Sequence, residues 1–424
     1  MLPPYSDPAA PAAGSQPLEQ ATIRVYGYRW ATLLAFMLAI AANQVLWITF
    51  APITGEAAKY YGVSDLSIGL LSLIFMLVYI VVAIPASWAI DRFGIRKAVG
   101  FGAVLTGGFG LLRGLASQNY TLVLVAQIGI AIGQPFILNA ITTVAARWFP
   151  LNERATASGL GWLATYFGIL AALVLTPYLM LRSGIGSLLM IYGIFAALAA
   201  VAFFAIARER PPTPPCPPGQ AERSLMYDGL RQALRQRDFI VLLVIFFVGL
   251  GVFNSVTTWI EDIVRPRGFT VTEAGNAGGL MILGGIIGAL ILPTLSDHYH
   301  RRTPFLVLAL LGAIAALCGL IFAASYALLL ASAAGLGFFL LSAGPIGFQY
   351  GAEVTYPAPE GTSNGLLLLI GQVSGIAFIL ALDAFKSPQT GSMTAPLLAL
   401  VGLMIVSLVL CTRLREAPAL RTGG

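Results

Sequence analysis

Long apolar segments separated by short polar turns occupy almost the whole chain of 424 residues. Each segment has about 20 residues or more, the length that a helix needs to cross a hydrocarbon layer of ~30 Å. The pattern predicts an all-α membrane protein with twelve spans, at approximately 30–52, 66–90, 97–116, 121–146, 156–180, 186–207, 238–264, 272–295, 304–323, 325–352, 362–384 and 393–413.

A repeat with a spacing of 206 residues divides these spans into two sets of six. The charged turn at 91–97 lies between two apolar segments, and a weaker copy surrounds Asp297, which stands 206 residues after Asp91. The same step leads from Thr156 to Thr362. Two halves in register predict two pseudo-symmetric six-helix bundles, an arrangement typical of transporters built from internal repeats.

A proline-rich segment separates the two halves. Residues 211–218 contain six prolines in eight positions, which predicts an extended linker, and 221–237 have the pattern of a basic amphipathic helix on a membrane surface. We therefore place the N-terminal bundle at 24–207, the linker at 208–237 and the C-terminal bundle at 238–413. The remaining segments, 1–23 and 414–424, are predicted tails, the first of them disordered.

Composition and charge define the surroundings of the chain. With 10% charged residues and a mean hydropathy of +0.85, it is not an ordinary soluble globule, which carries roughly 25% charged residues. Placing both termini in the cytoplasm puts 18 of the 24 Lys and Arg residues on that side, as membrane proteins prefer. We expect a multi-pass protein of the cell (plasma or inner) membrane that is monomeric. Since the net charge of +6 reflects this topology, we expect the lipid bilayer and a small-molecule substrate as partners, and no nucleic acid.

Several classes of chemistry have no signal in the sequence. Cys216, Cys318 and Cys411 stand apart from one another, which fits neither a disulfide framework nor a metal site. No nucleophile with an adjacent base is recognisable within the spans. We therefore expect no cofactor and no enzymatic activity.

Uncharged polar residues in the spans are the candidates for binding a solute. Asn43, Gln44 and Trp47 share one helical face, Gln134 precedes a proline in the middle of its span, and Gln372 lies among glycines. Amides in hydrocarbon need partners, which either a neighbouring helix or a bound solute provides. These residues either join neighbouring helices or bind a solute, and both interpretations stay open. Binding of a solute predicts a polar cavity between the bundles.

The seventh span carries a polar stripe of its own. Asn254, Thr257, Thr258 and Glu261 recur at helical spacing, and Phe253 is the pseudo-symmetric counterpart of Trp47. Two aromatic rings facing a cavity could hold an ammonium group. Glu261 is a candidate for ion coupling, although its place near the outer end of the span is more typical of a solvated residue at the rim.

The charged turn and its copy are candidates for a cytoplasmic gate. The residues concerned are Asp91, Arg92, Gly94, Arg96 and Lys97, with Asp297 and Arg301 in the second half.

The twelve spans and the Asp-Arg-x-Gly-x-Arg-Lys turn resemble the major facilitator superfamily. Within it, the chain resembles the feline leukaemia virus subgroup C receptor-related family, solute carrier family 49. The resemblance rests on Arg29-Trp30, on Asn43 to Trp47, on Gly133 to Leu138, and above all on the run FQYGAEVTYPAPEGTSNG at 348–365.

The resemblance implies a facilitator of small organic solutes, with choline and ethanolamine as the leading substrates and haem as an older proposal. Trp47, Gln134 and Gln372 match cavity residues of that family, whereas Asn254 stands where its choline-transporting members have a tyrosine. Haem is disfavoured because the two histidines, His298 and His300, lie in a predicted cytoplasmic turn.

Alternating access of the two bundles about a central site is the mechanism that this organisation predicts. Because no titratable residue falls at the membrane midplane, facilitated diffusion is favoured over obligatory proton coupling. The alternatives are a proton-coupled transporter of another small metabolite, using Glu261, and a transport-inactive solute sensor or receptor.

Overall fold

The computed structural model describes residues 25–213, 231, 233–356 and 360–416, and these residues form helices joined by short connections, without a β-strand. The helices of the N-terminal half are α1 Tyr28–Ile48, α2 Thr54–Tyr61, α3 Asp65–Phe93, α4 Ile95–Leu115, α5 Tyr120–Leu138, α6 Ile141–Trp148 and α7 Leu151–Ile206. Those of the C-terminal half are α8 Arg237–Thr258, α9 Ile260–Val264, α10 Val271–His298, α11 Thr303–Phe322, α12 Tyr326–Thr355, α13 Glu360–Ala384 and α14 Thr394–Cys411.

The described helices account for twelve crossings of a membrane. Eleven stretches of the described chain are long and apolar enough to cross, and one of them, Glu153–Ile206, has 54 residues. At 1.5 Å per residue it extends about 81 Å, enough for two crossings. The helix is interrupted at Gly184, whose φ of 77° favours glycine. The predicted all-α membrane fold is therefore confirmed, while the predicted tail 1–23 and most of the predicted amphipathic helix lie outside the described residues.

Three of the predicted spans are broken near their ends. The first is divided by a 3₁₀ turn, Ala51–Ile53, that contains Pro52, and the seventh is divided at Trp259. The fourth ends at Leu138, three residues after Pro135, and continues as α6. Proline removes a backbone donor from a helix, so the breaks in the first and fourth spans, close to Pro52 and Pro135, are the expected result. The break at Trp259 has no proline beside it.

Glycines allow the helices of each bundle to approach closely. A Cβ atom at Gly193 of α7 would lie 2.5 Å from the carbonyl oxygen of Gly110 on α4, and one at Gly337 of α12 would lie 1.6 Å from that of Met281 on α10. Helices in lipid associate through such small residues, because lipid tails are as apolar as a leucine side chain.

The most extensive contacts between the two bundles are those of α3 with α13 and of α7 with α10. We call the side that bears Tyr28 and Cys411 the termini side and the opposite side the distal side. Gly69 of α3 packs against Trp259, Met76 of α3 lies beside Gly375 of α13, and Gly275 of α10 packs against Leu173 and Pro177 of α7. Every one of these contacts lies in the distal half.

Burial along α3 shows where the contact ends. Seven of the nine residues from Ile68 to Met76 are buried, whereas between Leu77 and Ala89 only Ala86 is buried. Burial changes along α10 in the same way. Seven of the nine residues from Ala274 to Ile282 are buried, whereas beyond Ile282 only every third or fourth residue is buried. The helices at the bundle interface therefore lose their neighbours towards the termini side, so the structure is closed distally and open at the termini side.

We expect Gly275→Ala to shift this arrangement towards distal opening. The added methyl would lie 2.4 Å from the Leu173 carbonyl oxygen, a backbone atom that cannot move aside cheaply. Overpacking costs about 1–3 kcal/mol, so we expect about a tenfold rise in the distal-open population. The measurement is the distance between spin labels at Tyr60→Cys and Gln389→Cys, one on each bundle, in a background with Cys216, Cys318 and Cys411 replaced by alanine.

Gly108→Ala is the matched control, because no atom lies within 4 Å of the position that its methyl would take. An unchanged distance distribution in Gly275→Ala would contradict the proposed role of this contact.

Candidate functional site

Asn43 and Gln44 are buried inside the N-terminal bundle. The Asn43 amide nitrogen donates to Thr106 Oγ1 at 3.1 Å and to the Ile130 carbonyl oxygen at 3.4 Å. Gln44 Nε2 donates to Asn43 Oδ1 at 3.3 Å. In this state, both amides bond to their own bundle and join α1 to α4 and α5.

Trp47 is held at the edge of the same bundle. Its indole Nε1 donates to the carbonyl oxygen of Ser72 on α3 at 3.1 Å, and 7% of the residue is exposed. The hydrogen bond fixes the orientation of the ring, because an indole has a single donor.

Gln134 and Gln372 differ from the other candidates in having free amides. Within the described part of the chain, we find no hydrogen bond from either side-chain amide to another protein group. Gln134 is 7% exposed, and Gln372 is half-buried. Gln134 lies midway along the span Tyr120–Trp148, which α5 and α6 form together, and Gln372 lies midway along α13, so each bundle provides one unpaired amide at a similar depth.

Asn254 lies close to the bundle interface in the C-terminal half. Its Nδ2 donates to the carbonyl oxygen of Gly371 at 3.3 Å, directly before Gln372. A methyl group added at Gly375 would lie 3.0 Å from Asn254 Nδ2 and 2.6 Å from Met76 Sδ of the other bundle. Phe253, the neighbour of Asn254, is half-buried.

Helix α3 brings the two groups of candidates together. Ser72, which accepts the Trp47 bond, and Met76, which contacts the α13 side, are four residues apart on one face of α3. Residues at this spacing lie about 6 Å apart. The Trp47 and Asn254 groups therefore lie near each other across the interface, in the middle of the protein.

A cluster of charged residues joins the bundles above this region, at the distal side. We call it the distal ion cluster; its members are Asp65, Glu261, Asp262, Arg265 and Lys386. Lys386 Nζ donates to Asp65 at 2.8 Å and to Asp262 at 2.6 Å, and Arg265 Nη2 donates to Asp65 at 2.7 Å. Arg265 also pairs with Asp262 and Glu261. Asp65 is the N-terminal bundle's contribution, so these pairs hold the distal side closed.

Sequence reasoning identified only Glu261 in this cluster. The available signal was the spacing of Glu261, Asp262 and Arg265 within one helical turn, which places opposite charges together. Asp65 and Lys386 belong to other elements, and nothing in the sequence pairs them. In the described residues, no group of three or more His, Cys, Asp or Glu could hold a metal ion.

The expectation that Glu261 is a solvated residue at the rim was wrong. Glu261 is 3% exposed, because α9 turns inwards after the break at Trp259 and packs against the other bundle. Its carboxylate accepts a hydrogen bond from the Gly55 backbone N–H at 3.0 Å and one from Arg265 at 3.2 Å. Burial raises the pKa of Glu261 to about 7, although Arg265 and the Gly55 N–H oppose the shift.

The charged turn of the sequence lies at the termini side, where the bundles are apart. Asp91, Arg92, Arg96 and Lys97 are exposed, and Gly94 has a φ of 86°. The carboxylate of Glu209 accepts bonds from the backbone N–H groups of Ile95 and Arg96 at 3.0 and 2.8 Å. A Cβ atom at Gly94 would lie 2.2 Å from that carboxylate, so the turn needs glycine for this approach as well.

The second half repeats this arrangement with different residues. Glu416 accepts bonds from the backbone N–H groups of Arg302 and Thr303, at the first turn of α11. The arginine that pairs with Asp297 and Glu353 is the buried Arg302, whereas the predicted Arg301 is exposed. The difference follows from the turn after α10, in which only Arg302 points back towards the bundle.

The comparisons with known proteins agree with this architecture. The Major Facilitator Superfamily model matches residues 32–379. A bacterial homologue of the human lysosomal transporter Spinster, in an inward-facing and unoccupied conformation, has a similar fold, with a TM-score of 0.71 and 18% identity over 94% of this chain and 97% of that one.

Two named groups of relatives are similar along most of the chain. Solute carrier family 49 member A3 of Danio rerio is 32% identical, covering 95% of this chain and 88% of the relative. The choline/ethanolamine transporters FLVCR1 of Felis catus and FLVCR2 of Homo sapiens are 28% and 27% identical. The alignments cover 90% and 87% of this chain, and 72% and 74% of those relatives.

The fold and the family match define a transporter of the major facilitator superfamily. Within that superfamily, the chain belongs to the group of solute carrier family 49 and the FLVCR proteins, as the sequence motifs predicted.

We expect acidification to favour the distal-closed state. Glu261 has a raised pKa of about 7 in that state and returns towards its ordinary value of 4.5 when distal opening exposes it to water. The closed state therefore binds the proton more tightly, is stabilised at low pH, and loses this stabilisation as the pH rises through 7. Between pH 8 and pH 6, the closed-to-open ratio should rise about tenfold.

The same pair of spin labels at positions 60 and 389 measures this ratio at each pH. In Glu261→Gln, which is neutral throughout, the dependence on pH should disappear. A dependence that persists in Glu261→Gln would assign it to another group.

Proposed function

We propose that this protein is a secondary transporter that moves a small polar or cationic organic solute, similar to choline or ethanolamine, across the cell membrane by alternating access. Two of its relatives are named choline/ethanolamine transporters, and Trp47, Gln134 and Gln372 match cavity positions in the family that the sequence resembles.

The observation that carries the proposal is the pair of unpaired amides between bundles that are in contact on one side only. Gln134 and Gln372 come from opposite bundles, and neither amide is bonded to another described protein group, so both are available to a solute. An intramolecular hydrogen bond contributes about 0.5–1.5 kcal/mol net, so a solute that bonds to both amides gains about 1–3 kcal/mol. Because the two amides belong to different bundles, the bound solute also favours their movement together.

The aromatic residues would contribute the affinity for a cation. Trp47 offers an indole whose orientation is fixed, and Phe253 is half-buried on the other bundle. A cation over an aromatic ring gains about 0.5–2 kcal/mol, depending on desolvation. Asn254 supplies a hydrogen-bonding group on the same bundle as Phe253. Asn43 and Gln44 support Trp47 from within the bundle, and bind solute directly if α1 rearranges.

The distribution of basic residues indicates the orientation. The predicted topology puts 18 of the 24 Lys and Arg residues on the side of the two termini, so we assign the termini side to the cytoplasm of a plasma or inner membrane. The structure then represents an inward-open state. In the opposite state, the charged turn with Asp91, Arg92, Gly94, Arg96 and Lys97, together with Asp297 and Arg301, would close the cytoplasmic side.

Facilitated diffusion is the form of transport that the central site favours. Its candidate residues are neutral, so nothing there requires a proton to accompany the solute. Glu261 keeps proton-influenced transport as a second candidate, because its buried carboxylate joins the two bundles and has a pKa of about 7.

Uptake of labelled choline and ethanolamine into proteoliposomes tests the proposal. We expect Trp47→Ala to lower uptake at limiting solute by about tenfold, through the lost cation–π contact. Gln134→Ala and Gln372→Ala should each raise KM by about fivefold, through one lost hydrogen bond. Gln389→Ala is the matched control, because Gln389 is exposed on the distal loop.

Binding of choline without flux would favour a solute sensor, and neither binding nor flux with choline or ethanolamine would contradict the proposed solute class. Repeating the assay with an imposed pH gradient separates the two forms of transport. Flux driven by the gradient in the wild type, and lost in Glu261→Gln, would replace facilitated diffusion with proton coupling.

A further inference from the structure

Arg113 is a buried arginine without a carboxylate partner. It lies in the last turn of α4, in the interior of the N-terminal bundle, and 0% of it is exposed. Within the described residues, no acidic side chain forms an ion pair with it. Removing one charge from water costs several kcal/mol, so this position requires compensation from other groups.

The compensation comes from the C-terminal end of α1. Arg113 Nη1 donates to the Leu46 carbonyl oxygen at 2.9 Å, and Nη2 donates to Thr49 Oγ1 at 3.2 Å. The last carbonyl groups of a helix lack helical partners and carry about half a negative charge. The guanidinium therefore acts as the cap of α1, and Thr49 extends this cap by donating to the Val45 carbonyl oxygen.

Gln127 of α5 links this cap to α3. Its Oε1 accepts a bond from Arg113 Nη1 at 2.9 Å, and its Nε2 donates to the carbonyl oxygens of Leu46 and Leu71, both at 3.1 Å. Trp47 follows Leu46, and the Ser72 oxygen that accepts the Trp47 bond follows Leu71. Both attachments of Trp47 are therefore one residue away from a group that Arg113 or Gln127 holds.

We propose that Arg113 is a positioning residue for Trp47, and that it sets the affinity for solute by fixing the end of α1 and the indole ring against α3. The proposal rests on the proposed function, since Trp47 is the candidate solute contact. Arg113 is neither one of the candidate cavity residues nor part of the charged turns, so nothing in the sequence indicates this role.

Arg113→Lys is the informative substitution. It keeps the positive charge at the end of α1 but replaces a planar fork of donors with one ammonium, which cannot maintain all three bonds. We expect Trp47 to move, KM to rise about tenfold, and the maximal rate to stay within about twofold. A purely structural role would instead lower the maximal rate and the yield of folded protein, with KM unchanged.

Arg267→Lys is the matched control. Arg267 caps the end of α11 through the carbonyl oxygens of Leu320, Ile321 and Ala323, at 2.6, 3.1 and 3.3 Å, in the other bundle. The substitution removes the same kind of bonds at a helix end that does not carry Trp47. We expect it to leave KM and the environment of Trp47 unchanged.

The test that is independent of transport is ¹⁹F NMR of protein labelled with 5-fluorotryptophan in nanodiscs. Trp47→Phe assigns the Trp47 resonance, which should shift in Arg113→Lys and not in Arg267→Lys. An unshifted Trp47 resonance in Arg113→Lys would overturn the proposal. A shifted resonance in a protein whose wild type transports neither choline nor ethanolamine would contradict the solute class alone.

A double-mutant cycle tests whether Arg113 acts through Trp47. In the Trp47→Ala background, Arg113→Lys should change KM by less than about twofold, because the residue that it positions is absent. A further tenfold rise in that background would show that Arg113 acts by another route and would overturn the proposal.

Discussion

The contact between the two bundles at the distal side is the interaction on which the arrangement of the candidate site depends. It combines close packing of glycine against Trp259, Leu173 and Pro177 with the ion pairs of the distal ion cluster. Partial separation of the bundles is unfavourable, because a gap of about 0.5–1 Å already forfeits a quarter to a half of the dispersion energy of the contact. The contact therefore favours two discrete arrangements, as alternating access requires.

Polar groups inside the protein divide into two sets with different consequences. Asn43, Gln127 and Arg113 have their hydrogen-bond partners within one bundle, so they make that bundle rigid. Gln134 and Gln372 have no protein partner in the described residues and stand on opposite bundles. A rigid bundle with a few unpaired polar groups at its surface suits the binding of a solute in a membrane. The conformational entropy of the site is lost when the bundle folds, so little of it is lost again when the solute binds.

Pseudo-symmetry is stronger in the backbone of the protein than in its charges. A glutamate accepts from the first N–H groups of α4 in one half and of α11 in the other, with Glu209 from the linker and Glu416 from the C-terminal tail. Their remaining partners differ, with Arg147 beside Glu209. The two halves therefore keep the same helix-capping device at the termini side. The distal ion cluster, by contrast, draws four of its five members from the C-terminal half.

Much of the fold could be predicted because hydropathy and helix length determine which segments cross a membrane. The family could be predicted from a specific run of residues, 348–365. The burial of Glu261 could not, because it depends on a helix break at Trp259 that no neighbouring proline or glycine marks in the sequence. Nor could the sequence pair Asp65 with Lys386, or select Arg302 over Arg301. These contacts depend on how separate helices pack, whereas charge and spacing report only on residues close in the chain.

Reversible cross-linking of the distal side tests the central claim most directly. Asn276 of α10 donates to the Tyr178 hydroxyl of α7 at 3.4 Å, so these residues meet across the bundle interface. In Tyr178→Cys/Asn276→Cys, in a background without native cysteines, a short bifunctional thiol reagent should abolish uptake, and a reducing agent should restore it. Each single cysteine variant should keep its uptake after the same treatment. Full uptake in the cross-linked protein would contradict alternating access through opening of this side.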